Sequence, residues 1–191
     1  MTAQLVLAPG REKSLLRRHP WVFGNAVAAV QGAPKPGDTV RIAAADGRFL
    51  AWASFSPASQ IRARAWSFVE AERIDDDWIA ARLAEAIARR APLAGRTDGV
   101  RLVFGEADRL PGLVVDRYGE RLVVQLLATG VEARRQAIVD ALGRPTGCAD
   151  GYERPDAAAP QPEGVPLSAG TWCPADYRGE PLVSLDKAVG D

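Results

Sequence analysis

Apolar and polar positions along the chain change period near residue 73. Before it the apolar runs are short and bounded by turns. Residues 3–8 end at Pro9-Gly10, Val27–Val30 starts afresh, and Val40–Ala43 and Phe49–Phe55 flank Asp46-Gly47, a hairpin pair. Residues 34–38, Pro-Lys-Pro-Gly-Asp, read as a further turn, because proline presets one backbone angle and glycine supplies the unusual one. Ile61–Phe68 alternates, with Ile61, Ala63 and Ala65 on one side and Arg62, Arg64 and Trp66 near the other. Short strands at regular spacing predict a small β-barrel. A short helix from Ser14 through Arg18 interrupts it, with Ser14 as its cap and Pro20 as its stop.

Beyond residue 73 the period lengthens. Asp75, Asp76 and Asp77 suit a helix N-terminus, and Trp78, Ile79, Leu83 and Ile87 then form one apolar stripe, with Arg82, Glu85 and Arg89 turned outward. Residues 101–104, 113–116 and 121–128 read as a meander of three strands, and Glu132–Leu142 as a second amphipathic helix closed by Gly143 and Pro145. Helix, three strands and helix make an α+β unit. Residues 155–191 hold six of the fourteen prolines with little periodicity, and read as an extended tail. The expected division is therefore 1–73, a barrel; 74–154, a small α+β domain; and 155–191, a Pro/Gly-rich tail, an α+β fold class overall.

Composition adds a charge asymmetry. The formal net charge is zero, yet residues 1–73 carry +5 and residues 74–191 carry −5. A basic first third points to a polyanionic partner for that third. The two cysteines, Cys148 and Cys173, lie far apart without a ligand pattern, which fits a reducing compartment and argues against a metal site or disulfide framework. With no leader pattern and no run near ~18 apolar residues, a cytoplasmic protein without a membrane partner is expected.

The basic charge concentrates in residues 10–23. Arg11, Lys13, Arg17 and Arg18 crowd one turn-and-helix segment, and His19, the sole histidine, follows with Trp21 and Phe23. Cations bind phosphate, and a ring or guanidinium plane stacks an unpaired base. Arg62 and Arg64, two apart on a strand, share a face and extend the candidate RNA site. The competing reading is a solvated helix face with the two rings in the core.

Residues 105–119 contain Glu106, Asp108 and Asp116. Paired carboxylates can perform acid–base chemistry when their pKa values diverge. Turn formation is the simpler reading, with Asp108 capping backbone donors and Gly112 supplying the angle. Neither cysteine has a base nearby in sequence to make it a nucleophile. No Gly-x-Gly-x-x-Gly loop and no Walker motif occurs. No catalytic, cofactor-binding or metal residue is assigned.

Four stretches in order carry a resemblance: residues 5–23, LVLAPGREKSLLRRHPWVF; 56–64, SPASQIRAR; 105–118, GEADRLPGLVVDRY; and 152–154, YER. Together they make residues 1–154 resemble the front end of the bacterial 23S rRNA cytosine-5 methyltransferases. The resemblance implies an N-terminal PUA domain that binds RNA, a central α+β domain, and a following Rossmann-like domain that binds S-adenosylmethionine and carries the catalytic cysteine. Pro155 stands where that family has serine, and the tail loses the likeness. The expectation is an RNA-binding module for large-subunit rRNA with no cofactor in this chain and no activity alone. The alternatives are a component served by a catalytic domain in trans, and a remnant that binds nothing.

Overall fold

The structure is a computed structural model and describes residues 2–93, 95–146, 151–153 and 170–172. Its first part is a curled six-stranded sheet, a half-barrel, in the order β2-β6-β5-β4-β1-β3. The strands are β1 (Gln4–Leu7), β2 (Trp21–Phe23), β3 (Val27–Gln31), β4 (Thr39–Ala43), β5 (Phe49–Phe55) and β6 (Ile61–Ser67). β1 runs parallel to β4, and the other pairings are antiparallel. Leu5, Leu7, Val40, Ile42, Leu50 and Ala53 fill the inside of the curl.

Helix α1 (Lys13–Leu16) is shorter than the sequence suggests and differs at both ends. Glu12 occupies the N-cap position without a side-chain bond, so Ser14 lies inside the helix rather than capping it. Pro20 is not the stop either. The Arg18 N–H donates to Leu15 O at 2.8 Å and the His19 N–H to Ser14 O at 3.0 Å. Those bonds form a Schellman closure, which places Arg18 at the left-handed position that usually holds glycine.

The second part is a five-stranded sheet in the order β11-β10-β9-β8-β7. It comprises β7 (Gly99–Phe104), β8 (Leu113–Tyr118), β9 (Arg121–Leu126), β10 (Gly151–Glu153) and β11 (Gly170–Trp172). The meander β7–β8–β9 matches the sequence reading. β10 joins β9 in parallel and β11 joins β10 antiparallel, so three residues of the expected tail are a sheet strand. The remainder of that tail, Cys148 and Cys173 lie outside the described residues. Helix α2 (Asp76–Arg89) starts as its sequence demands: Asp75 accepts from the Trp78 N–H at 3.0 Å. Ile79, Leu83 and Ala86 form its buried stripe.

A one-turn helix α3 (Thr129–Glu132) precedes α4 (Arg135–Thr146), which runs past Gly143 and Pro145. In the last turn the Thr146 hydroxyl donates to Leu142 O at 2.7 Å, a bond to the carbonyl four residues back that leaves the helix intact. At the inner end of β10, Glu153 is buried and pairs with Arg135, which also holds Glu132.

The two sheets share a wall. Trp66, on β6 of the first sheet, is 2% exposed and belongs to the core of the second, with Leu83, Val103, Leu113 and Val131. Above it the Thr129 hydroxyl donates to Phe55 O and accepts from Ser56 Oγ. Arg134 donates to Ile74 O at 2.8 Å and pairs with Asp76 at 2.9 Å. Gly130 sits where a Cβ would meet Ser54 and approach Trp66 Cζ2 to 2.8 Å. That site is closed to any side chain. Gly130→Ala is expected to destabilise the protein by about 1–3 kcal/mol through overpacking, read as a lower urea midpoint; an unchanged midpoint would mean the seam is loose.

Candidate nucleic-acid interface

The segment that joins α1 to β2 presents the sequence-predicted cations and rings together. Arg11, Lys13 and Arg17 are exposed, and their side chains have no hydrogen-bond or ion-pair partner among the described residues. Arg18 is exposed too, with its guanidinium 4.9 Å from the Phe68 ring centroid. His19, Trp21 and Phe23 follow as an edge-to-face series, with centroids 5.5 Å and 6.3 Å apart. Phe23 is 45% exposed and Trp21 is half-buried, so the series offers ring edges to solvent on the edge strand β2. His19 Nδ1 accepts the Trp21 backbone N–H at 3.3 Å.

Arg62 and Arg64 differ in setting. Arg62 donates to Pro57 O at 2.5 Å, and its guanidinium lies over Gly24. Arg64 is 9% exposed, stands 5.4 Å from the Trp21 ring centroid, and pairs with Glu106 at 3.3 Å. The same Glu106 oxygen accepts Trp21 Nε1–H at 2.8 Å. One carboxylate from the second sheet's loop therefore fixes both the ring and the cation of the first sheet. Sequence reasoning missed this role because Trp21 and Glu106 lie 85 positions apart.

Asp108 anchors that loop. It is 3% exposed and accepts from Arg90 at 2.7 and 2.8 Å, from Arg89 at 2.6 Å and from the Phe104 N–H at 2.7 Å. Burial pushes its carboxyl up, but the hydrogen bonds from Arg90, Arg89 and the Phe104 backbone together outweigh it and hold it below the usual range. Asp116 forms a two-pronged pair with Arg101 at 2.7 and 2.9 Å. Both carboxylates are thus bound up in structural ion pairs.

The loop repeats the closure seen after α1. The Arg109 N–H donates to Glu106 O at 3.2 Å and the Leu110 N–H to Gly105 O at 3.1 Å. Arg109 takes the left-handed angle, φ +60°, as Arg18 does at +63°. They are the two non-glycine residues with positive φ among the described residues. Each such backbone costs about 1–3 kcal/mol and persists where the surroundings impose it. Both side chains line one cavity of about 490 Å³ at the seam of the two sheets. Trp66, Trp78 and Phe68 give that cavity its apolar surface, and the Trp66–Trp78 pair meets edge to face at 6.2 Å. Sequence reading noted Trp66 and Trp78 only as strand and stripe residues and gave Arg109 no role of its own; no local signal marks their convergence.

Comparison with known proteins places this geometry. Residues 5–68 match a family model described as a PUA-like domain. Over 172 residues, 89% of this chain, the sequence is 48% identical to ribosomal RNA large subunit methyltransferase I of Erwinia tasmaniensis. Over the same share it is 46% identical to the protein of that name from Escherichia coli strain K12. The chain spans 43% of the length of each of these relatives, whose N-terminal portion it fits. The fold is shared with a candidate SAM-dependent methyltransferase from Streptococcus mutans, at TM-score 0.68 and 18% identity over 79% of this chain and 40% of that one. A further candidate methyltransferase, solved with SAH, gives a TM-score of 0.69 over the same shares.

The loop anchor makes a pH prediction. A carboxyl held below its unfolded value, near ~3.9, stabilises the fold above that pH and loses its contribution as pH falls through the depressed value. Asp108→Asn is expected to cost about 3 kcal/mol at neutral pH and to flatten the acid limb of stability against pH. An acid limb identical to the parent's would assign the acid sensitivity to other groups.

Proposed function

We propose that this chain is the RNA-recognition part of a large-subunit rRNA methyltransferase-family protein. The division is residues 1–73 as the PUA-like unit, which contacts phosphates, and 74–154 as the central unit that backs it. The single observation that carries the reading is the free cation cluster. Arg11, Lys13 and Arg17, whose side chains have no hydrogen-bond or ion-pair partner among the described residues, flank an exposed aromatic series. Cations left unpaired beside ring edges suit a phosphate backbone with unstacked bases. A purely structural cluster would pair its arginines, as Arg89 and Arg90 pair with Asp108.

The partner is RNA, with large-subunit rRNA the class suggested by the relatives' names. Among the described residues no helix is long and apolar enough to cross a membrane, and the reading places the protein in the cytoplasm with its ribosomal target. Methyl transfer and its cofactor belong, in this reading, to the length of the relatives that this chain does not cover. A catalytic domain acting in trans would meet the same requirement.

Binding to an rRNA fragment should weaken with salt. Each phosphate contact contributes about 0.7 to the slope of log K against log salt for single strands. Replacing Arg11, Lys13 and Arg17 together by alanine is therefore expected to make the slope shallower by about 2. Surface changes of this kind leave stability within about 0.5 kcal/mol. A slope that stays the same would remove the cluster from the interface.

A further inference from the structure

We infer that the cavity at the seam is a binding site for one unstacked nucleotide, with its phosphate held by Arg18 and Arg109 and its base against the Phe68 and Trp78 rings. The inference rests on the RNA-recognition reading and specifies where a single base is received. Three independent observations meet at this cavity.

The first is backbone. Two unrelated loops, one after α1 and one after β7, end in the same hydrogen-bonded closure, and each places arginine at the position glycine fills without strain. Outliers of this kind cluster at ligand sites, where strain is part of the function. Both arginines line this one cavity, from opposite sheets. Both are exposed, and neither side chain has a hydrogen-bond or ion-pair partner among the described residues. The contacts their side chains do make, Arg18 over the Phe68 ring and Arg109 through the field of Glu72, both lie in the lining of this cavity.

The second is shape and lining. A volume of about 490 Å³ falls within the range of ligand-sized clefts, ~300–1,000 Å³. Phe68 and Trp78 bring two partly exposed rings to its lining, which suit the face of any base. The third is unmet polarity. Trp66 Nε1 and Arg82 Nε, on two lining residues, are buried donors with no acceptor among the described residues. Buried donors are paired in nearly all folded proteins, so two unpaired ones set this lining apart. Glu72, whose Oε2 accepts the Trp78 indole N–H at 3.0 Å, and Glu106, whose Oε1 holds Trp21 and Arg64, complete the lining, and each carboxylate has a second oxygen to accept from an amino group of a base edge. Cations for phosphate, rings for the base face and carboxylates for its edge make up the recognition set of a nucleotide.

The site is contiguous with the basic segment. Arg18 closes α1, and Glu106 holds Trp21 on the adjacent strand. A strand of RNA lying over residues 11–23 therefore passes the cavity mouth.

The test uses the full chain, with tryptophan emission followed during titration by a nucleoside 5′-monophosphate and, separately, by inorganic phosphate. Binding of a structured rRNA fragment is measured in parallel. The mononucleotide is expected to quench saturably and phosphate alone is not. The Arg18→Gly, Arg109→Gly double variant is expected to raise the dissociation constant for the mononucleotide at least tenfold. Its melting temperature should hold or rise, because glycine fits both closures, so the loss cannot come from unfolding. Arg11→Ala, Lys13→Ala, Arg17→Ala is expected to retain mononucleotide quenching while weakening the rRNA fragment. A mononucleotide that quenches no better than phosphate, or a glycine variant that binds it as the parent does, overturns the nucleotide site. If the rRNA fragment still binds in that case, the RNA-recognition reading stands without it. Quenching by the mononucleotide with no binding of the rRNA fragment would instead overturn that reading and keep the site.

Discussion

The position of Trp66 governs the molecule. A side chain from the first sheet is buried in the core of the second, so the half-barrel cannot separate from the α+β unit without exposing an indole. Removing such a ring from a core costs about 3–5 kcal/mol, a large share of the 5–15 kcal/mol that stabilises an ordinary protein. Gly130 has to stay bare for the wall to close over Trp66, and the Thr129 hydroxyl seals it from above. A rigid seam follows. Only a rigid seam can hold Arg18 and Arg109, from two different sheets, at the mouth of one cavity.

Charge is distributed around that seam by use. Arginines that stabilise the fold are paired: Arg89 and Arg90 on Asp108, Arg101 on Asp116, Arg134 on Asp76. Those of the 11–18 segment are not, among the described residues. Glu106 stands between the two groups. It neutralises Arg64 and orients Trp21, so in the proposed interface that ring is held in place by the fold itself. Pre-organisation of this kind lowers the ordering cost of binding. The left-handed arginines carry the opposite balance, with backbone stability given up for the placement of two cations.

Much of the architecture was legible in the sequence. Helix α2 was readable because its apolar period and its Asp75 cap are local signals that agree, and the cap bond is present. The β7–β8–β9 meander was readable for the same reason, with turn residues between apolar runs. Elsewhere local signals misled. Ser14 resembles a cap but lies inside α1, whose N-cap position is held by Glu12, and backbone bonds from Arg18 and His19 close the helix before Pro20 can. Pro145 resembles a stop but rides in the last turn of α4. β11 is three residues long within a proline-rich stretch and offers no periodicity to read. The cation cluster was visible as composition. Its link to Glu106 and the convergence of Arg18 with Arg109 were not, since both depend on contacts between segments some 85 or more positions apart.

The central claim is that RNA lies over the basic segment and the seam. Ultraviolet cross-linking of an rRNA fragment to the chain, with the adducts located by mass spectrometry, tests it most directly. Exposed rings elsewhere provide the contrast: Phe104 and Tyr118, on the second sheet, are 54% and 59% exposed and equally able to trap a base. The account predicts adducts within residues 10–23 and at the cavity wall, Phe68 and Trp78, with none at Phe104 or Tyr118. Adducts confined to Phe104 and Tyr118 would contradict it.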